Sequence, residues 1–115
     1  MAVHELARDA WHPFFEDLTR IVRGRQTGVE IASADLGDQK LVENLPLLGI
    51  SFDTRGDRLE IEFESIGHRI AGPFAVFVDQ AADGVIGIEV EAAGGERTIL
   101  RLKEPLLLPE PATGA

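Results

Sequence analysis

Residues 45–64, LPLLGISFDTRGDRLEIEFE, constrain the fold of this chain more than any other stretch. Two runs of alternating apolar and polar residues flank a turn built from Asp53, Thr54, Arg55, Gly56 and Asp57, the pattern of a β-hairpin. In the second run Leu59, Ile61 and Phe63 share one side of a strand, while Arg58, Glu60, Glu62 and Glu64 share the other. A slip of one residue would expose the whole apolar set, so the register is strongly specified. The body of the protein is therefore expected to be an antiparallel sheet with one dry face and one wet face.

Upstream of the hairpin the period changes. Trp11, Phe14, Phe15, Leu18, Ile21 and Val22 recur at helical offsets and form one apolar stripe. With Asp9 as N-cap, Pro13 tolerated in the first turn and Gly24 as a left-handed stop, the pattern predicts a helix over residues 10–23. At that spacing Trp11, Phe14 and Phe15 read as core packing against the sheet rather than as an aromatic binding patch. Val29 and Ile31 then alternate around Glu30 in a predicted strand over residues 26–33, followed by a polar loop over 35–39 and a less regular stretch to Pro46. Residues 65–72 are expected to form a loop or irregular crossing. Strands are predicted over 73–79, 85–91 and 97–103, joined by turns at Asp83-Gly84 and Gly94-Gly95.

A chain of 115 residues makes one domain. Its boundaries are expected at residues 1–103, followed by a flexible tail over 104–115, where Pro105, Pro109 and Pro111 disfavour sheet pairing. Leu106, Leu107 and Leu108 in that tail either pack back on the domain or serve as a docking peptide.

With 20 acidic and 11 basic residues the formal charge is -9, and such a surface repels a phosphate backbone. Nucleic acid and anionic membranes are therefore not expected as ligands. The absence of cysteine excludes disulfides, thiolate catalysis and Cys-ligated metal sites. The stretch MAVHELARDAW lacks the pattern of a signal peptide, and no run approaches the ~18 apolar residues of a membrane span. The expected location is the cytoplasm.

Candidate chemistry is sparse. His4, His12 and His68 have no metal-ligand spacing to one another, and Arg69 beside His68 opposes a bound cation. Ser33, Ser51 and Ser65 lie outside any nucleophile-elbow context. No catalytic, cofactor-binding or metal-ligating residue is assigned, and no cofactor is expected. Asp35, Gly37 and Asp38 lack the further ligands of a calcium loop, and Arg55-Gly56-Asp57 is turn chemistry in a hairpin that needs Gly and Asp. Glu60, Glu62, Glu64, Glu89 and Glu91 are expected on one wet face, answered by Arg97, Arg101 and Lys103 across the sheet. That acidic face and the leucine triplet Leu106, Leu107 and Leu108 are the candidate interaction surface.

The order of features is distinctive. Trp11 with Phe14-Phe15 opens a helix, followed by Asp35-Leu36-Gly37-Asp38-Gln39, then Leu45-Pro46-Leu47 leading to Gly49-Ile50-Ser51 and Asp53. His68-Arg69-Ile70 with Pro73, a late Glu-rich apolar strand and a final Thr98-Ile99-Leu100-Arg101-Leu102 strand complete it. Over residues 4–103 the chain resembles the small bacterial domain-of-unknown-function family 5335. Within it, residues 49–91 are similar to domain-of-unknown-function family 2283, in which an Asp-containing turn precedes a strand and a Gly-Ile-Glu-Val-like strand closes the unit. Neither resemblance implies an activity, a cofactor or a catalytic residue.

The expectation is an α+β domain, with one N-terminal amphipathic helix on a twisted, mainly antiparallel sheet of five or six strands, a meander curling toward a small barrel. The expected function is a cytoplasmic, non-enzymatic protein-binding or accessory role, with a protein partner or a second copy of the chain met at the acidic face, a sheet edge or the tail. The alternative is a small-ligand domain or minor enzyme using carboxylates and His68, with Arg69, in a pocket between helix and sheet.

Overall fold

A computed structural model describes residues 2–22, 28–33, 39–63 and 67–107. Its elements run β1 (Ala2–Leu6), a 3-10 turn (Arg8–Ala10), α1 (Trp11–Val22), β2 (Gly28–Ser33), β3 (Gln39–Asp53), β4 (Arg58–Phe63), β5 (Gly67–Ala71), β6 (Pro73–Ala81), β7 (Gly84–Ala92) and β8 (Arg97–Leu106). The strands pair antiparallel in the order β1-β6-β7-β8-β2-β3-β4-β5. The α+β class, with one N-terminal helix on an antiparallel sheet, is therefore what the chain forms. A four-stranded arm, β1-β6-β7-β8, and a three-stranded arm, β3-β4-β5, are bridged by β2. β1 and β5 end the ribbon without pairing to each other, so no barrel closes.

Two strands exceed the expected five or six for a physical reason. β1 and β5 are edge strands of five residues with one fully buried side chain each, Leu6 and Ile70, and too little alternation to be legible locally. Pairing with β6 and with β4 makes them strands. Thus residues 67–71, expected in a loop, form β5.

The helix places its predicted stripe inward: Trp11, Phe14, Phe15, Leu18 and Val22 are buried, and Ile21 packs beside them. Removing these side chains from water contributes on the order of 10 kcal/mol before entropy is subtracted. Asp9 falls inside the 3-10 turn and is not the helix cap. The chain leaves β1 at Leu6 and must turn at once, and the Ala10 N–H donates to the Ala7 carbonyl at 2.9 Å. The Trp11 indole Nε1 ties the same corner by donating to the Leu6 carbonyl at 3.0 Å. Arg8 lies over the Trp11 and Phe52 rings, at 4.6 and 5.0 Å from their centroids, and its guanidinium reaches Asp57 Oδ1 at 3.1 Å.

β3 carries the helix. Its first part pairs with β2 as far as Pro46, and beyond that point no strand among the described residues pairs with the edge away from β4. There α1 packs against β3. The Thr19 hydroxyl accepts from the Ile50 N–H and donates to the Ile50 carbonyl, both at 3.0 Å. The approach is close because residue 49 is glycine, where a Cβ would stand 2.7 Å from Thr19 Cγ2. A bulge at Leu48 lets both Leu47 and Ile50 face inward despite their odd spacing.

Both arms face the same core. Phe15 of α1, Ile50 of β3, Ile61 of β4, and Ile88 and Leu100 of β7 and β8 surround a void of only about 10 Å³. β8 runs past residue 103 to Leu106, beyond the boundary expected from the prolines. The register to β7 passes from Gly87 opposite Arg101 to Val85 opposite Leu106, and Pro105 sits in that bulge, where it costs no ladder bond. Gly84 accepts the end of β8 closely: with φ at 138°, its missing Cβ would lie 2.6 Å from the Leu106 carbonyl oxygen.

Candidate functional site

The carboxylates expected on one wet face form two separate clusters. Glu60 on β4 lies 3.5 Å from Arg58 and 3.6 Å from Arg69 of β5. Glu89 and Glu91 on β7 meet Arg97 of β8 at 3.3 and 3.7 Å. Between β4 and β7 stand β8, β2 and β3, and the inner faces of the two strands meet across the core. Their outer carboxylates therefore belong to different sides of the molecule. Glu62 is exposed on β4, and Glu64 lies outside the described residues. The expected answer of Arg97 to the β7 acids is present, and exposed pairs of this kind are worth about 0–1 kcal/mol.

His68 and Arg69 are neighbours on edge strand β5, opposite Ile61 and Glu60. They border an open groove of about 500 Å³ with Glu60 and Glu62. His68 Nε2 is shielded from solvent and has no hydrogen-bond partner among the described residues. This groove is not the one between helix and sheet. The latter, about 450 Å³, is lined by His12, Glu16 and Arg20 of α1 with Ser51 of β3. There His12 Nδ1 and Glu16 stand 3.8 Å apart as i,i+4 neighbours, and Arg20 pairs with Asp17 at 3.0 Å, an ordinary helix surface. His68 thus does not join the helix–sheet pocket in which it was expected.

The leucine triplet divides. Leu106 is 0% exposed and belongs to the core, Leu107 is 70% exposed, and Leu108 lies outside the described residues. Leu106 is therefore unavailable as a docking residue. The Arg55-Gly56-Asp57 tip is a turn, with the Arg55 N–H donating to Asp53 Oδ1 at 3.0 Å. Backbone donors at Gly56 and Arg55 hold the Asp53 carboxyl below its usual pKa, helped by the Arg58 and Arg55 charges against a small desolvation. The calcium-loop residues Asp35, Gly37 and Asp38 lie outside the described residues.

The feature that sequence reading passed over is on the outer face of the four-stranded arm. One cross-strand row holds Glu5, Phe77, Glu89 and Ile99, and the next holds Val3, Asp79, Gly87 and Arg101. Gly87 leaves its place in the row without a side chain. Over it opens a cleft of about 560 Å³, walled by Phe77, Asp79, Ile86, Ile99 and Arg101, with Val3 at its rim. Val3 is 65% exposed, and Phe77, Ile86 and Ile99 are half-buried. Asp79 Oδ1 is shielded from solvent and has no hydrogen-bond partner among the described residues. The available signal was Gly87 itself, because a glycine inside a strand gives up packing and often marks a close approach by something else.

Among the described residues no group of three or more His, Asp or Glu side chains could hold a metal ion, and no helix is long and apolar enough to cross a membrane. Comparison with known proteins agrees with the resemblance read from the motifs. An uncharacterized protein of Aquifex aeolicus (strain VF5) is 34% identical over 111 residues, covering 96% of this chain and 100% of that protein. No solved structure matches the chain. The profile of a family of unknown function, DUF5335, matches residues 2–111, and the chain belongs to that family.

Proposed function

We propose that this chain is a non-enzymatic, cytoplasmic accessory protein that binds another protein across the outer face of β1-β6-β7-β8. The cleft over Gly87 carries the reading. Its lining joins apolar Phe77, Ile86 and Ile99 to charged Asp79 and Arg101, on the face of the sheet opposite the one that packs against α1. An exposed apolar depression rimmed by charge is the form a partner's anchoring side chains fill. The net charge of -9 favours encounter with a basic partner.

Gly87→Gln tests this without attacking the core. A Cβ at residue 87 would make ordinary contacts, 3.5 Å to the Leu100 carbonyl oxygen and 3.6 Å to Asp79 Cβ, so the longer side chain can project into the floor of the cleft without displacing the backbone. The expected result is saturable partner capture by the wild-type chain that Gly87→Gln abolishes, with unchanged circular dichroism and urea midpoint. Absence of any saturable partner, or equal capture by both proteins, rejects the reading.

A further inference from the structure

We infer that the occupant of the cleft over Gly87 is an extended segment of a partner protein carrying a lysine or arginine between apolar residues. The inference rests on the protein-binding reading above and adds the chemistry of what is bound.

Three observations converge on it. The first is the wall chemistry: Phe77, Ile86 and Ile99 offer apolar surface that is only half covered. The second is Asp79, which borders the same cleft with Oδ1 shielded from solvent and without a hydrogen-bond partner among the described residues. A half-buried carboxylate beside apolar walls gains from an incoming cation, because a charge-assisted hydrogen bond is stronger where water is partly excluded. Its cross-strand neighbours are Val3 and Gly87, and neither has a donor side chain. The third is the distribution of charge. Arg97 answers Glu89 and Glu91 on the far strands, and Arg101 stands beyond Gly87 from Asp79. The half of the cleft nearest the β1 edge is therefore acidic, on a chain whose overall balance is -9.

The spacing defines the segment. Neighbouring strands lie about 4.8 Å apart, so the row from Val3 to Arg101 spans about 14 Å, or about four extended residues. In an extended segment, side chains two residues apart share a face about 7 Å apart. Along the row Gly87 and Val3 stand about 4.8 Å on either side of Asp79, so a cation set against Asp79 places its apolar i+2 neighbour just past the vacancy at Gly87, short of Arg101, and its i−2 neighbour just past Val3. The pattern is apolar, any, Lys or Arg, any, apolar.

The test is a titration of the isotopically labelled full chain, followed by nuclear magnetic resonance, with acetyl-Leu-Ser-Lys-Ser-Leu-amide. Two further peptides replace the lysine by glutamate or norleucine. The lysine peptide is expected to shift the amide resonances of Val3, Asp79 and Gly87 saturably and to bind more tightly than the other two. Asp79→Asn is expected to weaken it by about tenfold, the scale of one lost charge-assisted contact. Equal binding of all three peptides, shifts confined to other surfaces, no shift at millimolar peptide, or indifference to Asp79→Asn overturns the inference. The peptide series stands without the variant, so the test survives a variant that folds poorly. If charge selectivity is absent while Gly87→Gln still abolishes partner capture, the inference fails and the protein-binding reading stands. If capture is also insensitive to Gly87→Gln, both fail.

Discussion

Thr19 gives the sharpest test of how the helix is held. Its hydroxyl satisfies both the N–H and the carbonyl of Ile50, on a length of β3 edge that no strand among the described residues covers. Thr19→Val keeps the shape and removes both bonds. Each abandoned backbone group costs about 1–3 kcal/mol when shielded from water, and the site is part-buried, so the lower end applies to each. The expected loss is about 2 kcal/mol. For 115 residues the unfolding entropy is about 0.24 kcal/mol/K, which makes this a fall of about 8 °C in Tm. Trp11 is the single tryptophan and is buried, so its fluorescence follows urea unfolding directly. The midpoint should fall with an unchanged m-value, and Thr19→Ser, which keeps the hydroxyl, should lose less than the valine variant. Gly49→Ala extends the test, because its Cβ would stand 2.7 Å from Thr19 Cγ2 and overpacking of that kind costs about 1–3 kcal/mol. In the Thr19→Ser background that methyl is gone, and the double-mutant cycle should show coupling of about 1 kcal/mol. A Thr19→Val loss within about 0.5 kcal/mol of zero, or a serine variant as damaged as the valine one, would refute the reasoning.

The hairpin tip and the chain end offer two further checks. Asp53 has its folded-state pKa lowered, so its contribution is present above the unfolded pKa of about 3.9 and is lost as the pH falls through the folded value. Asp53→Asn, which cannot titrate, should remove that increment from the acid limb of a urea-midpoint profile, and an unchanged limb would show that Asp53 does not carry it. Leu106→Ala should cost about 2–5 kcal/mol because that side chain is fully buried, whereas Leu107→Ala should stay within about 0.5 kcal/mol. Thermal unfolding of the two variants separates them, and equal effects would contradict the placement of β8.

Much of the fold was legible locally. The period-two alternation of Leu59, Ile61 and Phe63 and the helical stripe from Trp11 to Val22 are properties of consecutive residues, and every one of those side chains but the flanking Ile21 is fully buried. The turn at residues 53–57 was equally local, since the Asp53 carboxylate accepts from the Arg55 N–H two residues on. Asp9 read as a cap only because the 3-10 turn after β1 could not be foreseen. The site was less legible. The cleft over Gly87 is assembled from β1, β6, β7 and β8, so its row of Val3, Asp79, Gly87 and Arg101 joins positions scattered from one end of the chain to the other.

The sequence by itself determined which faces would be dry, where the helix and the main hairpin lie, the acidic surface and the family. Only the tertiary structure decided which strands become neighbours. It made strands of β1 and β5, split the carboxylates between two sides, drew Leu106 into the core, kept His68 away from the helix–sheet groove and opened the cleft over Gly87. The physical reason is that local alternation fixes how a strand faces, whereas register between distant strands is set by hydrogen-bond pairing and shared burial, which no short window of sequence contains.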